Sequence, residues 1–302
     1  MNYYEEIKNK LIDDEIYSKV KDYSKERHRV ITYFEIGKLL NEAGSIYGEN
    51  IIGQYSEKLM NEVCFAGNVG KKYNKRTLFR IKQFYNVFSN EKVSPLATQL
   101  TWSHYTELLT IKDVDKINYY IEKVSIRNLS KRELREAIKN QEYERLPEET
   151  KNKLINKEET KVQDLIKNPI IIKNNSNYEI ISEKTLQKLI LENIEDFMKQ
   201  LGNSFCFIGS EYKIKLGDRY NYLDILLFNY EYNCFVVVEL KVTELKKEHI
   251  GQIQLYMNYV DFNIKKIYHD KTIGIVICKK DNKYVIEYSS DDRIVARFYK
   301  LV

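Results

Sequence analysis

The sequence predicts an α+β protein, an all-α N-terminal domain followed by an α/β domain, and three observations carry that expectation. Apolar residues recur at three- and four-residue spacings through roughly the first 145 residues. Beyond about residue 180, strand-length runs of Ile, Val, Tyr and Phe alternate with helical patterns. Between the two lies a polar stretch holding Leu146-Pro147-Glu148-Glu149, Pro169 and Lys173-Asn174-Asn175-Ser176-Asn177. The boundaries are accordingly 1–147 for the helical domain, 148–178 for a linker and 179–302 for the α/β domain. A chain of 302 residues, at roughly 150 per domain, holds two cores.

In the first domain, helical spacing is clearest in Val30–Leu40, Ile51–Val63, Leu78–Phe88 and Tyr105–Ile111. Ser130 stands three residues before Glu133 and ahead of Leu134 and Ile138, the capping-box pattern that opens a helix. The linker is expected to be partly helical between about Lys151 and Ile166. In the last domain a helix fits Glu183–Leu201, closed by Gly202. Strands fit Phe205–Leu216, Tyr222–Phe228 and Cys234–Val242, a helix Lys246–Val260, a strand Thr272–Cys278 and a final strand pair Tyr284–Tyr288 and Val295–Leu301.

Composition narrows the function classes. Charged residues are 31% and hydrophobic ones 43%, the proportions of a folded globular chain, which excludes global disorder. The 49 Lys and Arg against 44 Asp and Glu leave +5, which permits a polyanionic partner without requiring one. Met1-Asn2-Tyr3-Tyr4-Glu5-Glu6 shows no basic head and apolar run, and Phe235–Val238 is far too short to span a bilayer. A cytoplasmic protein without membrane contact is the expectation. Cys64, Cys206, Cys234 and Cys278 form no CxxC pair, so free thiols are expected rather than zinc or disulfides. No His pair has zinc spacing, and no Walker loop, GxGxxG or GxSxG occurs.

The chemistry-bearing residues lie in Tyr222-Leu-Asp224-Ile-Leu-Leu-Phe228 and Cys234-Phe-Val-Val-Val-Glu239-Leu-Lys241-Val242. Two acids and a lysine sit inside apolar runs, and buried charges must be paired or bind a metal. Glu239 and Lys241, two apart, share a strand face. If the hairpin turns at Glu231-Tyr232, Asp224 faces Glu239 with Cβ atoms about 5 Å apart. Two carboxylates that close repel unless a proton or cation lies between them. Mg²⁺ (or Mn²⁺), with oxygen ligands near about 2.1 Å and waters elsewhere, suits such a gap. Lys241 then reaches the attacking water or the scissile phosphate, the equipment of metal-assisted phosphodiester hydrolysis. An ion-pair network also accounts for this pattern in a highly charged chain.

A series of motifs resembles a known family: Phe205-Cys-Phe-Ile-Gly209, Glu211-Tyr212, the Asp224 and Glu239-Leu-Lys241 strands, Gly251-Gln252 and Thr272-Ile-Gly-Ile275, together with Tyr33-Phe-Glu-Ile-Gly37, Tyr47-Gly48, Leu100-Thr-Trp-Ser-His104 and Glu142-Tyr-Glu-Arg145. These resemble the YhcG-type family, bacterial proteins with a helical N-terminal domain and a C-terminal PD-(D/E)XK restriction-endonuclease-like domain. The resemblance implies Asp224 and Glu239 as metal ligands, Lys241 as catalytic lysine, Gln252 as support for water or DNA, and an acid from the preceding helix. Glu192 is the choice for that acid, with Glu195 as the alternative. The implied activity is a metal-dependent endonuclease on DNA. The alternative is an inactive nucleic-acid-binding or assembly protein that keeps the fold as scaffold, favoured by Ser210-Glu211 standing where the family carries Arg-Gln. An RNA-directed nuclease is a third reading, and cutting both strands would suggest a homodimer.

Two basic clusters remain. Lys71-Lys72, Lys75, Arg76, Arg80 and Lys82 line a helix whose other face is Leu78, Ile81, Tyr85 and Phe88; it reads as a phosphate-contacting helix or as a solvated bundle face. Lys131, Arg132 and Arg135 carry the same ambiguity. His104 is expected to pack or cap, and His249 to lie at the surface or, as the alternative, to face the cleft. The 25 tyrosines reflect base composition or offer stacking for bases.

Overall fold

The computed structural model describes residues 2–19, 24–48, 50–61, 72–93, 100–202, 204–280, 282–287 and 291–302. Its contacts divide the chain into two units, Met1–Tyr143 and Glu144–Val302. The expectations for Cys64, Val63, Lys71 and Tyr288 lie outside the described residues.

The first unit is helical: α1 (Tyr3–Tyr17), α2 (Ser24–Tyr47), α3 (Asn50–Asn61), α4 (Lys75–Phe88), α5 (Trp102–Leu108), α6 (Val114–Arg127) and α7 (Lys131–Lys139). Local chemistry starts several of them. Asn74 caps α4 through Thr77 N, Asp113 caps α6, and Ser130 with Glu133 forms the expected capping box on α7. Helix α4 buries Leu78, Ile81, Phe84 and Phe88; Tyr85, expected on that face, is half-buried and Phe84 takes the core place. Phe84 meets Trp102 and Tyr105, and Tyr33 of α2 meets Trp102 edge-on. Gly37 permits α2 to lie against α4, since a Cβ there would stand 2.5 Å from the Ile81 carbonyl oxygen. His104 packs and caps as expected: it is buried, and its Nδ1 accepts from Thr101 N at 3.1 Å.

The second unit contains α8 (Glu148–Asn156), a 3₁₀ turn (Val162–Leu165), β1 (Ile170–Ile172), α9 (Glu183–Glu192), α10 (Ile194–Leu201), β2 (Phe205–Leu216), β3 (Arg219–Asn229), β4 (Cys234–Leu240), α11 (Lys247–Asn263), β5 (Asp270–Cys278), α12 (Lys283–Glu287) and β6 (Ile294–Leu301). The six strands form one sheet in the order β1-β6-β5-β4-β3-β2. β1/β6, β6/β5 and β5/β4 are parallel; β4/β3 and β3/β2 are antiparallel. One face packs Leu186, Leu189 and Phe197 of α9 and α10 on Ile225, Leu227, Val236 and Ile275. The other packs Ile253, Met257 and Val260 of α11 on Leu226, Val237 and Val276. All seven residues of β4 are buried, which explains its unbroken apolar run.

Three expectations are corrected. Residues 148–178 are not a free linker: Ile170–Ile172 pairs with Tyr299–Leu301, and Val162, Ile166, Ile170 and Ile172 are buried in the sheet's core. The helix expected over Glu183–Leu201 breaks at Asn193, whose φ of −131° and ψ of 42° are not helical. The strand expected at Tyr284–Tyr288 is instead the short helix α12. No helix among the described residues is long and apolar enough to cross a membrane.

Candidate active site

The hairpin of β3 and β4 sets the site. Asn229 Oδ1 accepts from Glu231 N at 3.1 Å and Tyr232 N at 3.0 Å, closing the turn at the expected place. Asn229 thus pairs with Cys234, and the ladder runs back to Ile225 opposite Val238. One step further the backbone pairing stops and the carboxylates begin. Asp224 Oδ2 accepts from Leu240 N at 2.7 Å, so this side chain replaces the next ladder bond. The strand alternation slips here, because Leu223 and Leu226 pack into the same cluster while Ile225 packs into the opposite one. Opposite Asp224 on β2, between the pairs Ser210–Ile225 and Tyr212–Leu223, Glu211 adopts a φ of 46°. Gln187 of α9 donates to the Asp224 carbonyl at 3.0 Å.

Glu239 is 2% exposed. Its Oε1 accepts from Lys241 Nζ at 2.8 Å, and its Oε2 is buried with no hydrogen-bond partner. Burial, then the charge of Asp224, push the Glu239 carboxyl up to about 7, against the pull of Lys241. Asp224 is also raised, by burial first, with the Leu240 amide and Lys241 opposing and Glu183 and Glu211 adding to the rise. Burial works against the Lys241 ammonium, yet Glu239, Glu183 and Asp224 outweigh it and hold its pKa above the usual lysine value. Glu183 Oε2 stands 3.7 Å from Lys241 Nζ. His249, in the first turn of α11, is half-buried, and its pKa is lowered by burial and by the charges of Lys241 and Lys246.

The sequence-predicted residues thus fall in two groups. Asp224, Glu239 and Lys241 come together. Gln252, one turn beyond His249 on α11, donates to Tyr256 Oη at 3.1 Å. Glu192 lies at the far end of α9, 3.9 Å from Lys188, and Glu195 is exposed on α10. Glu183, in the first turn of α9, is the acid that stands beside Lys241, and sequence reasoning missed it. Its signal was the Ser182 cap, which fixes where α9 starts and so which acid sits at that end. His249, read as a surface residue or one facing the cleft, is half-buried and feels the charge of Lys241.

The residues fit a divalent ion. Glu239 Oε2 is an acceptor without a donor, and a cation there would satisfy it and offset the like charge of Asp224. Among the described residues no cluster of three or more His, Cys, Asp or Glu is arranged for a metal. Asp224 and Glu239 would supply two carboxylates to such an ion, the kind of oxygen donor that suits hard ions such as Mg²⁺.

Comparison with known proteins places both units in a family. Residues 163–301 match the YhcG PDDEXK nuclease domain, and residues 14–145 match the DUF1016 N-terminal domain. The chain belongs to the YhcG-type family. Its second unit is a nuclease-family domain of the restriction-endonuclease-like class. The chain is 25% identical over 316 residues to the Escherichia coli (strain K12) protein named "Putative nuclease YhcG", spanning 89% of this chain and 82% of that one. Two solved structures also match, each over 42% of this chain and 48% of theirs, with a TM-score of 0.28. They are a repair endonuclease from Pyrococcus abyssi, 18% identical, and the EndoMS-dsDNA2 complex, 20% identical.

The basic clusters separate as well. Lys75 and Arg76 are exposed, Arg80 and Lys82 half-buried. Arg76 and Arg80 make no ion pair among the described residues. Lys131, Arg132 and Arg135 are matched by acids: Arg135 Nη2 lies 2.7 Å from Glu107, Lys131 lies 3.6 Å from it, and Arg132 pairs with Glu136.

Proposed function

We propose that the second unit is a divalent-metal-dependent endonuclease that hydrolyses phosphodiester bonds in DNA. One observation carries the reading: the partnerless, buried Glu239 Oε2 beside a second carboxylate and a buried lysine. Asp224 and Glu239 would hold Mg²⁺ or Mn²⁺, which when bound acidifies water and neutralises phosphoryl oxygens. The protein's own part is positional. The Leu240 amide and Gln187 fix Asp224 at the end of the hairpin. Lys241, held between Glu239 and Glu183, offers its ammonium protons to the attacking water or to a phosphate oxygen as negative charge develops. Glu183 takes the place foreseen for Glu192 by orienting that lysine. Gln252 supports water at the α11 side.

Lys75, Arg76, Arg80 and Lys82 of α4 would contact DNA phosphates, the unpaired Arg76 and Arg80 foremost. Cutting both strands calls for two sites, so a homodimer is the proposed assembly and the cytoplasm the proposed location.

The test is purified full-length protein on plasmid and oligonucleotide substrates, with Mg²⁺ or Mn²⁺ and with chelator. Cleavage is expected only with the ion and is expected to vanish in Asp224→Ala. No cleavage of any substrate, or equal cleavage by Asp224→Ala, overturns the proposal. One observation favours a second reading, a binding protein that does not cut. Glu211 brings negative charge toward Asp224 where the family carries Arg-Gln. Nucleic-acid binding unchanged by chelation, without cleavage, would select it; matched RNA and DNA strands separate the RNA-directed alternative.

A further inference from the structure

The β2–β3 hairpin carries a face that the site described above does not use. Beyond Asp224, β2 and β3 continue as a two-stranded ribbon in which Lys213 pairs with Tyr222 and Lys215 with Tyr220. Cross-strand partners and alternate residues share a face, so these four side chains stand together. The opposite face is fixed in the core: Ile214 and Leu223 are buried beneath α11, with Tyr212 and Leu216 packed beside them. The Lys and Tyr face is open. Tyr220 is 57% exposed and Tyr222 53% exposed, and both lysines are exposed. Lys213 Nζ lies 3.8 Å from the centre of the Tyr220 ring. Neither Lys213 nor Lys215 makes an ion pair among the described residues, although Glu211 and Asp218 flank them in sequence.

Position gives this face a partner. Tyr222 is two residues from Asp224 along β3. Two and three residues before Lys213 on β2, Glu211 and Ser210 line a groove of about 750 Å³ against α9 that also takes in Tyr178, Lys184 and Lys188. Alternating cations and exposed rings form a chemical pair: ammonium groups for phosphates, and ring faces for bases. Ring faces gain from a base only when it is unstacked, which a duplex does not offer.

We infer that the Lys213, Lys215, Tyr220 and Tyr222 face of the hairpin binds a single-stranded segment of nucleic acid and leads it to the carboxylates, an inference that rests on the nuclease reading for its purpose but not for its test. Binding is measured by fluorescence anisotropy on the full chain, with labelled oligothymidine and a duplex of the same length, in chelator so that nothing is cut. The single strand is expected to bind more tightly than the duplex. The double variant Tyr220→Ala/Tyr222→Ala is expected to lose at least about fivefold in affinity per ring, while Tyr220→Phe/Tyr222→Phe retains it. Lys213→Gln/Lys215→Gln is expected to lower the slope of log affinity against log salt by about 0.7 per lysine. All four positions are exposed, and an unchanged melting temperature shows that each variant is folded. Wild-type affinity in the Ala pair, equal loss in the Phe pair, or tighter binding of the duplex overturns the inference. Binding through this face by a chain that never cuts supports it while removing the nuclease reading.

Discussion

Each unit buries a carboxylate, and the two are treated in opposite ways. In the helical unit Asp14 is 1% exposed; its Oδ2 accepts from Arg29 Nε at 3.3 Å and its Oδ1 lies 3.6 Å from His28 Nδ1. Both oxygens have a cationic or potentially cationic neighbour. In the sheet unit Glu239 is just as buried, yet one oxygen has no partner and a second carboxylate crowds it. A buried acid that only holds structure is satisfied by its fold, because each unmet oxygen costs stability. A buried acid left short marks a place where something from outside completes it.

The largest effect expected from this contrast is on catalysis. Glu239→Gln is expected to reduce metal-supported cleavage about a thousandfold, in line with losing a main charge at a reacting centre. The same substitution is expected to raise the melting temperature of the metal-free protein at pH 8, since it removes a carboxylate whose charged form is disfavoured there. A fall would show that the acid is structural like Asp14. Next, Asp14→Ala leaves Arg29 with its ion pair to Glu26 and is expected to cost about 2 kcal/mol in urea unfolding, with no change in metal binding. Divalent ion at about a hundred times its Kd is expected to stabilise the wild type by about 2.7 kcal/mol and Asp224→Ala not at all, read as a thermal shift. Glu183→Gln is expected to lower cleavage about tenfold through Lys241 while Glu192→Gln leaves it unchanged; the reverse outcome would return the role to Glu192.

The smallest effect concerns pH. The Arg293 guanidinium donates to Asp291 and holds its carboxyl below the usual aspartate value. A depressed folded pKa adds stability above the unfolded value of 3.8, and that stability is lost as pH falls through the folded one. Unfolding from pH 5 down to pH 2 is expected to show a loss of about 1 kcal/mol from this pair, absent in Asp291→Asn.

How much of this was readable beforehand depends on how local the cause was. The β3–β4 register was legible because the turn lies between two apolar runs whose lengths leave four residues for it, with Asn229 closing it from its own side chain. The closeness of Asp224, Glu239 and Lys241 followed from that register. The helix acid did not, because periodicity runs on from Glu183 to Leu201 and hides the break at Asn193; the nearer acid is set by the start of the helix rather than its middle. Strand β1 was invisible for another reason. Three isoleucines become a strand only when β6, more than a hundred residues later, lies beside them. Tyr284, Val285 and Ile286 have strand propensity, yet Val285 and Ile286 pack from a helix onto the cluster under α11.

That late pairing has a consequence for how the protein is made. Strand β6 enters the sheet between β1 and β5, so the last strand in sequence is an inner one. On a ribosome, the carboxylates and Lys241 emerge about fifty residues before the sheet that must hold them can close. The sheet beneath Asp224, Glu239 and Lys241 is complete only once residues 294–301 have taken their place between β1 and β5, so the site is framed by the last part of the chain to be made.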